Sequence, residues 1–383
     1  MNNRAAKWGL AIVSMALTGT AGAAGITVYK QDDQYVKLGG RIQIQYHQVS
    51  PDGEEETDEL FLRRFRPYVI GSLYKDWKGK LQWEMGKAKG VVVKEAYMQY
   101  TGFDSGKLYI GNMKTGFSRE MMTSSKKQQL IERTFVGDHN YGVPEYQLGL
   151  RFDGFAADKQ VGYILSFGSM SLDPDEKKLD FDTPVNKDED WNEGWVAAGR
   201  VDYYPFGYFS MSQGDFGGGQ KLAIGVGFFS WNNDDDNNTY TDTAGNHAGG
   251  SKVDVDSASG AEFSIAYRIG GFSADAQYNQ ISASTIDGAY SGGMFENGDT
   301  TLTQMSLEGG YMVVPSTLEL VAGFESMDAD GYKKAWTRNS VGVNWFLHKH
   351  DIKAQLTYRQ GKNLYGKDGD DEDELFLQAQ YVF

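Results

Sequence analysis

The chain contains no cysteine, which excludes disulfides, thiolate metal sites and haem-attachment motifs. Proline is scarce, at 7 in 383 residues. Beyond residue 23 there is no run of about 20 apolar residues, so no membrane-spanning helix is expected. The five histidines form no HExxH, and neither a GxSxG nor a P-loop occurs. We therefore expect no enzyme, no catalytic residues, no cofactor and no metal. His348 and His350 read as a solvated turn, with a metal site as the alternative.

Aromatic residues (14%) and glycines (48) are plentiful, and the formal charge is −15. This mix suits many strands, tight turns and aromatic girdles. A mean hydropathy of −0.50 resembles that of a soluble protein. A membrane barrel would give the same value, because only every second strand residue meets lipid. The N-terminus carries Arg4 and Lys7, the apolar stretch Trp8 to Leu17, and Ala21-Gly22-Ala23. These are the three parts of a secretory signal. The expected organisation is a signal peptide over 1–23, export, and one barrel domain over 24–383.

Alternation of apolar and polar residues starts at Tyr35. Val36, Leu38, Ile42, Ile44 and Tyr46 share one face, and Lys37, Arg41, Gln43 and Gln45 the other. From Leu60 to Tyr74 the apolar face is read as Phe61, Phe65, Val69 and Leu73, with Arg64, Arg66 and Tyr68 opposite. Further segments follow to Phe383, about sixteen in all, each near the 9–11 residues of a tilted membrane strand. The connections alternate as well. Lys75–Gly79, Gly102–Gly106, Gly154–Ala157, Gly270-Gly271, Val314–Ser316 and His348–His350 are short. Residues 51–59, 114–145, 169–193, 232–259, 282–300, 328–335 and 361–373 are longer and often acidic. Short turns on one side and long loops on the other mark an outer-membrane barrel. Residues 205–219 break the rule. The ending Leu377 to Phe383 resembles the terminal assembly signal of bacterial outer-membrane proteins.

If apolar faces meet lipid, the lumen holds Lys37, Arg41, Arg64, Arg66, Arg151, Arg200, Arg268, Arg338, Lys353 and Arg359. It also holds Glu84, Glu262, Asp275, Glu308, Glu319 and Glu325. So many charges require a wet interior. Each charge read singly is a solvated wall residue, while arginine's planar fork suits oxyanions. The acidic runs at 54–59, 234–236 and 368–374 read as solvated loops, or as carboxylates bridged by divalent cations to lipopolysaccharide. Between Lys114 and Phe135 the alternation stops, and five basic residues face two acidic ones.

Two stretches resemble the phosphate-selective porin O/P family. One is Leu62-Arg63-Arg64-Phe65-Arg66 with Gly71-Ser72-Leu73-Tyr74-Lys75-Asp76-Trp77. The other runs from Gly111-Asn112-Met113-Lys114 through Phe117-Ser118-Arg119-Glu120 and Thr123-Ser124-Ser125 to Ile131-Glu132-Arg133. The resemblance implies a sixteen-stranded barrel in the bacterial outer membrane, a homotrimer, with the third long loop (114–145) folded inward. It makes Lys114, Arg119, Lys126, Lys127 and Arg133 candidates for a cationic constriction, with Arg64 and Arg66 on the facing wall. Arg41, Arg151, Arg338 and Arg359 complete the candidate wall. The chain departs from the family in its acidic balance and lumenal carboxylates. The expected function is passive diffusion of small hydrophilic solutes, leaning to anions such as phosphate. A cation-preferring general porin, and a sleeve for a partner such as an electron-transfer cytochrome, stay open. Lipid and lipopolysaccharide are expected partners, and nucleic acid is not.

Overall fold

The computed structural model describes residues 25–86, 90–175, 177–186, 193–235 and 238–383; the expected signal peptide lies outside them. Strands β1 (Ile26–Gln31), β2 (Gln34–Gly39), β3 (Arg41–Pro51), β4 (Thr57–Phe65) and β5 (Tyr68–Tyr74) come first. Next are β6 (Trp77–Glu84), β7 (Val92–Phe103) and β8 (Gly106–Lys114). After an irregular segment come β9 (Tyr146–Ala156), β10 (Val161–Asp175), β11 (Lys178–Asp182), β12 (Glu193–Tyr203) and β13 (Lys221–Asn233). The chain ends with β14 (Val255–Ile269), β15 (Phe272–Thr285), β16 (Asp299–Val314), β17 (Leu318–Asp328), β18 (Trp336–His348), β19 (Ile352–Lys362) and β20 (Glu372–Val382).

Twenty strands stand where alternation predicted about sixteen. The difference has local causes. β2 and β3 are consecutive pieces parted at Gly40, where a Cβ would press on the Phe383 ring at 2.8 Å. β4 and β5 are parted at Arg66-Pro67, since proline has no N–H for a ladder. β1 folds back on β2 ahead of the alternation, and β11 folds back on β10 inside the expected loop 169–193.

Every pairing between the strands is antiparallel. β20 lies against β3, with Gln378 opposite Gln45, and β2 lies against β5. Arg41 and Arg66 exchange backbone hydrogen bonds of 3.3 and 2.9 Å across the two breaks. The last strand is therefore held beside the first long one, which leaves β20 paired on both sides.

The two faces of the sheet are inverted relative to a soluble protein. Along β19, Leu356 and Tyr358 are 38% and 42% exposed, while Gln355, Thr357 and Arg359 are 4%, 3% and 8%. The same holds for Ile44 beside buried Gln43 and Gln45, Leu307 beside Ser306 and Glu308, and Val341 beside Ser340, and Leu150, Val226 and Phe228 are exposed as well. A contiguous apolar outer face of this size is stable only against lipid.

One face assignment is corrected. A register shift between β3 and β4 sets Leu62 opposite Ile44 and Phe61 opposite Gln45. Leu60 and Leu62 therefore point outward, and Phe61 does not. The extra residue at Arg63 is a bulge, which a period of two cannot reveal. The short connections hold, at two to four residues each, and residues 204–220 remain the long exception among them.

The interior is not wet throughout. Phe117, Met121, Met170, Phe181, Trp231 and Ile281 belong to one buried apolar cluster between the 115–145 segment and β10 to β16. A second joins Phe135, Tyr141, Met327, Trp336 and Leu364. Both lie on one side of the molecule, which decides where space is left.

Candidate functional site

The chain leaves the sheet after Lys114 because Thr115 to Ser118 offer no apolar alternation. Ser118 instead caps a single helical turn, Arg119–Met122, its Oγ accepting from the Met121 N–H at 3.3 Å. From there to Glu145 the segment lies on the polar face of the sheet and is fastened there by wall side chains. Glu262 accepts the Arg119 N–H at 3.1 and 2.9 Å, Gln277 the Glu120 N–H at 2.8 Å, and Glu325 the Phe135 N–H at 2.8 Å. In the other direction, Arg200 donates to the Phe117 carbonyl, Asn279 to Val136 and Gln304 to Tyr141. Asn344 and Gln355 donate to the Gln129 carbonyl and Lys353 to that of Gln128. On the β3–β4 side, Arg63 grips Glu132 with two bonds of 2.7 and 2.8 Å.

The segment also has a polar centre of its own. Glu120 accepts from the Thr134 N–H at 3.1 Å, and burial pushes its carboxyl up to about 8. Burial would raise Glu132 too, but the adjacent Arg63 and Arg64 hold it well below the usual carboxylate range. β11 clamps the outer end, where the Gly142 N–H meets the Leu179 carbonyl at 2.8 Å. His139 Nδ1 lies 2.5 Å from Asp180 there. Burial opposes its charge, yet Asp180 and Glu145 raise the ring to about 9.

The carboxylates of the wall are thus consumed in holding the segment or in pairing with arginine. Arg200 is fully buried and bonds Asp202 at 2.9 and 2.8 Å as well as Glu262. Arg268 lies 2.6 Å from Asp275. All of this occupies the side formed by β12 to β19.

Open space remains on the side formed by β2 to β9. A chamber of about 520 Å³ toward the short turns is lined from the wall by Lys37, Arg41, Arg66, Lys80 and Arg151. Lys114, Lys126 and Arg133 close it from the segment side. Glu95 is its one lining carboxylate, and Lys80 is paired with it. A second chamber of about 310 Å³ lies toward the long loops, with Arg63, Arg64 and Lys94 facing Glu84, Glu132 and Glu145. Arg66 and Arg133 line both chambers and stand where the two adjoin.

Several of these cations are oriented by neighbours. Arg151 is held by Asp153 at 2.7 and 2.8 Å, donates to the Lys114 carbonyl, and stacks 4.4 Å above the Tyr109 ring. Arg66 pairs with Glu84. Arg41 is 6% exposed, and among the described residues its guanidinium donates only to Ser124 Oγ, at 3.4 Å. Among the described residues no carboxylate forms an ion pair with Arg41 or Lys126.

Of the five loop candidates, Lys114, Lys126 and Arg133 come together at the chamber. Lys127 is adjacent but does not line it. Arg119 lies across the molecule, 2% exposed between Asp202 and Asp275. Of the wall candidates, Arg41, Arg66 and Arg151 line the basic chamber and Arg64 the mixed one. Arg338 stacks on Phe135 and Trp336, and Arg359 pairs with Glu374 at 2.6 Å, both away from the passage. The sequence reading missed Arg63, hidden by the bulge, and Lys80. Following the Gln82–Glu84 face back by one alternation would have found Lys80.

Porin O of Pseudomonas aeruginosa is 27% identical to the chain, over 94% of it and 91% of that protein. An anion-selective porin from Comamonas acidovorans has the same fold at a TM-score of 0.61 and 12% identity, covering 91% of this chain and all of that one. OmpT of Vibrio cholerae in its trimer form aligns at 0.59 and 15% identity, over 92% of this chain and all of that one. A family model for phosphate-selective porin O and P matches residues 36–383, and the chain belongs to that family of outer-membrane porins.

Proposed function

We propose that the protein is a passive, non-enzymatic channel for small anions of the phosphate type, and that they pass along the β2–β9 side. The observation that carries this is the one-sided chamber, with eight basic side chains around a single carboxylate already paired with lysine. Arg66, Lys80, Arg133 and Arg151 have carboxylate partners, whereas Arg41 and Lys126 have none among the described residues; buried cations without counter-charge are costly, and an entering anion offsets that cost. Arg41 and Arg66 bring planar forks that match an oxyanion, while Lys114 and Lys126 add compact charges. Rings of this kind replace part of an ion's hydration without binding it too tightly to leave. The net charge of −15 argues little against this, because the lumenal carboxylates are spent as anchors and the acidic runs lie in outer loops. Family membership and the trimeric form of the OmpT relative support action as a homotrimer, embedded in outer-membrane lipid and lipopolysaccharide.

The test is a reversal potential across a planar bilayer under a potassium chloride gradient, repeated with phosphate competing. Preference for chloride, reduced by phosphate, is the expected result; preference for potassium would sink the reading and return the cation-preferring alternative. A sleeve for a cytochrome would instead show as a copurifying haem protein, and the 115–145 segment leaves little bore for one.

A pH dependence follows. Burial, with Arg41, Lys127 and Lys80 nearby, outweighs Asp351 and pushes Lys126 down to about 8. Lys126 is charged below that pH and neutral above it. Chloride preference should therefore decline between about pH 7 and pH 9, and Lys126→Arg should flatten the decline.

A further inference from the structure

Residues 204–220 join β12 to β13 on the side where the other connections have two to four residues. Residues 211–216 of this length are not left in solvent, whereas residues 217–220 are exposed. The segment is drawn back across the polar face by donors from three later parts of the chain. Arg268 Nη2 reaches the Ser212 carbonyl at 2.7 Å, and the Gly271 N–H reaches Asp215 at 2.8 Å. Ser316 Oγ reaches the Phe216 carbonyl at 3.0 Å, and His350 Nε2 lies 2.9 Å from the Gln213 carbonyl.

The tip meets the 115–145 segment coming from the opposite end. The Gln213 N–H donates to the Lys127 carbonyl at 3.0 Å, and Gln213 Oε1 accepts from the Gln129 N–H at 2.7 Å. Its Nε2 donates to Glu308. Every hydrogen-bonding group of Gln213 is therefore engaged, and the residue is 3% exposed. Four residues earlier, the Phe209 ring lies 5.5 Å from the Arg119 guanidinium and 5.8 Å from that of Arg268.

What lies beneath these two segments is the acidic wall. Asp202, Glu262, Asp275, Glu308 and Glu319 are each 4% exposed or less. An open lumen on that side would present them to any passing cation. We infer that residues 204–220, locked to the 115–145 segment through Gln213, seal the acidic half of the lumen and so determine the channel's selectivity from outside the basic chamber. This rests on the anion-channel reading above. It assigns to an uncharged glutamine and its flanks a part that the charge pattern alone does not disclose.

In the full-length protein, residues 207–219 are replaced by a two-glycine turn, and conductance and reversal potential are measured in a potassium chloride gradient. The shortened protein is expected to conduct about twofold more or higher, because a parallel route opens, and to lose most of its chloride preference. Adding Glu308→Gln and Glu319→Gln to it should restore that preference while keeping the raised conductance. Gln213→Ala, which keeps the chain length, should shift both readings the same way by a smaller step. It decides the matter if the shortened chain fails to assemble. Unchanged conductance and selectivity in the variants would overturn the inference. If the intact protein prefers potassium, the anion-channel reading falls instead, and the conductance rise alone still reports whether 204–220 blocks the lumen.

Discussion

Arg41→Glu combined with Lys126→Glu is expected to turn a chloride-preferring channel into a potassium-preferring one. Both side chains line the chamber, from opposite sides of the passage, and neither has an ion-paired carboxylate among the described residues. The only lining carboxylate, Glu95, is already matched by Lys80. Reversing two charges therefore alters the field along the proposed route and does not break an existing pair. At about 4 Å and an effective dielectric near 20, one charge pair is worth about 4 kcal/mol. Even a fraction of that exceeds the ~1.4 kcal/mol that changes a ratio tenfold. The anion-to-cation permeability ratio should drop by about tenfold or more, and the reversal potential should change sign. Reversing Lys367, exposed on an outer loop, should leave the sign alone. A double variant that still prefers chloride would remove the basic chamber from the conduction route.

Arg200→Ala is expected to loosen the whole 115–145 segment. This guanidinium is fully buried and serves four partners at once: Asp202, Glu262, Ser264 and the Phe117 carbonyl. Its removal leaves Glu262 without a charged side-chain partner and Asp202 with Arg119 alone, 3.8 Å away, and frees the carbonyl where the 115–145 segment begins. Breaking a buried pair by deleting one partner costs about 3–5 kcal/mol. Glu262 also accepts the Arg119 N–H, so the loss propagates to the helical turn. Two readings follow: a lower temperature for loss of the folded form on semi-native gels, and greater open-channel current noise. Adding Asp202→Asn and Glu262→Gln should recover part of the thermal loss, since the stranded charges are then gone. Unchanged melting and noise in Arg200→Ala would show that the network holds nothing.

Much of the fold was legible because a period of two is imposed by lipid on one side. Gln43, Gln45, Lys353 and Arg359 fall on the buried face as read, and the Gly270-Gly271 turn is where glycine permits a positive φ, 56° and 92°. Local departures were not legible. One extra residue at Arg63 reverses every assignment on its near side, and no alternation pattern marks a bulge in advance. The site was half legible. Composition located the basic segment, but which of its cations share a chamber depends on how it lies across the sheet. Lys126 and Arg119 are seven positions apart in sequence and end on opposite sides of the lumen. That outcome is decided by glutamines, asparagines and carboxylates more than 100 residues downstream, which local reasoning cannot weigh.

Those distant partners have a consequence for the order in which the molecule is made. The 115–145 segment is bonded to side chains 225 residues later at Lys353 and 254 residues later at Gln380. Contacts of such sequence separation form slowly and cannot precede the strands that carry them. During insertion, the segment must wait unseated until β14 to β20 have entered the sheet. Its seating therefore reports on completion: a nascent chain lacking its last strand holds the segment without its last anchors. Protease protection of the 115–145 segment should accordingly appear later than protection of the first hairpins. The segment doubles as a timer of the barrel's own assembly.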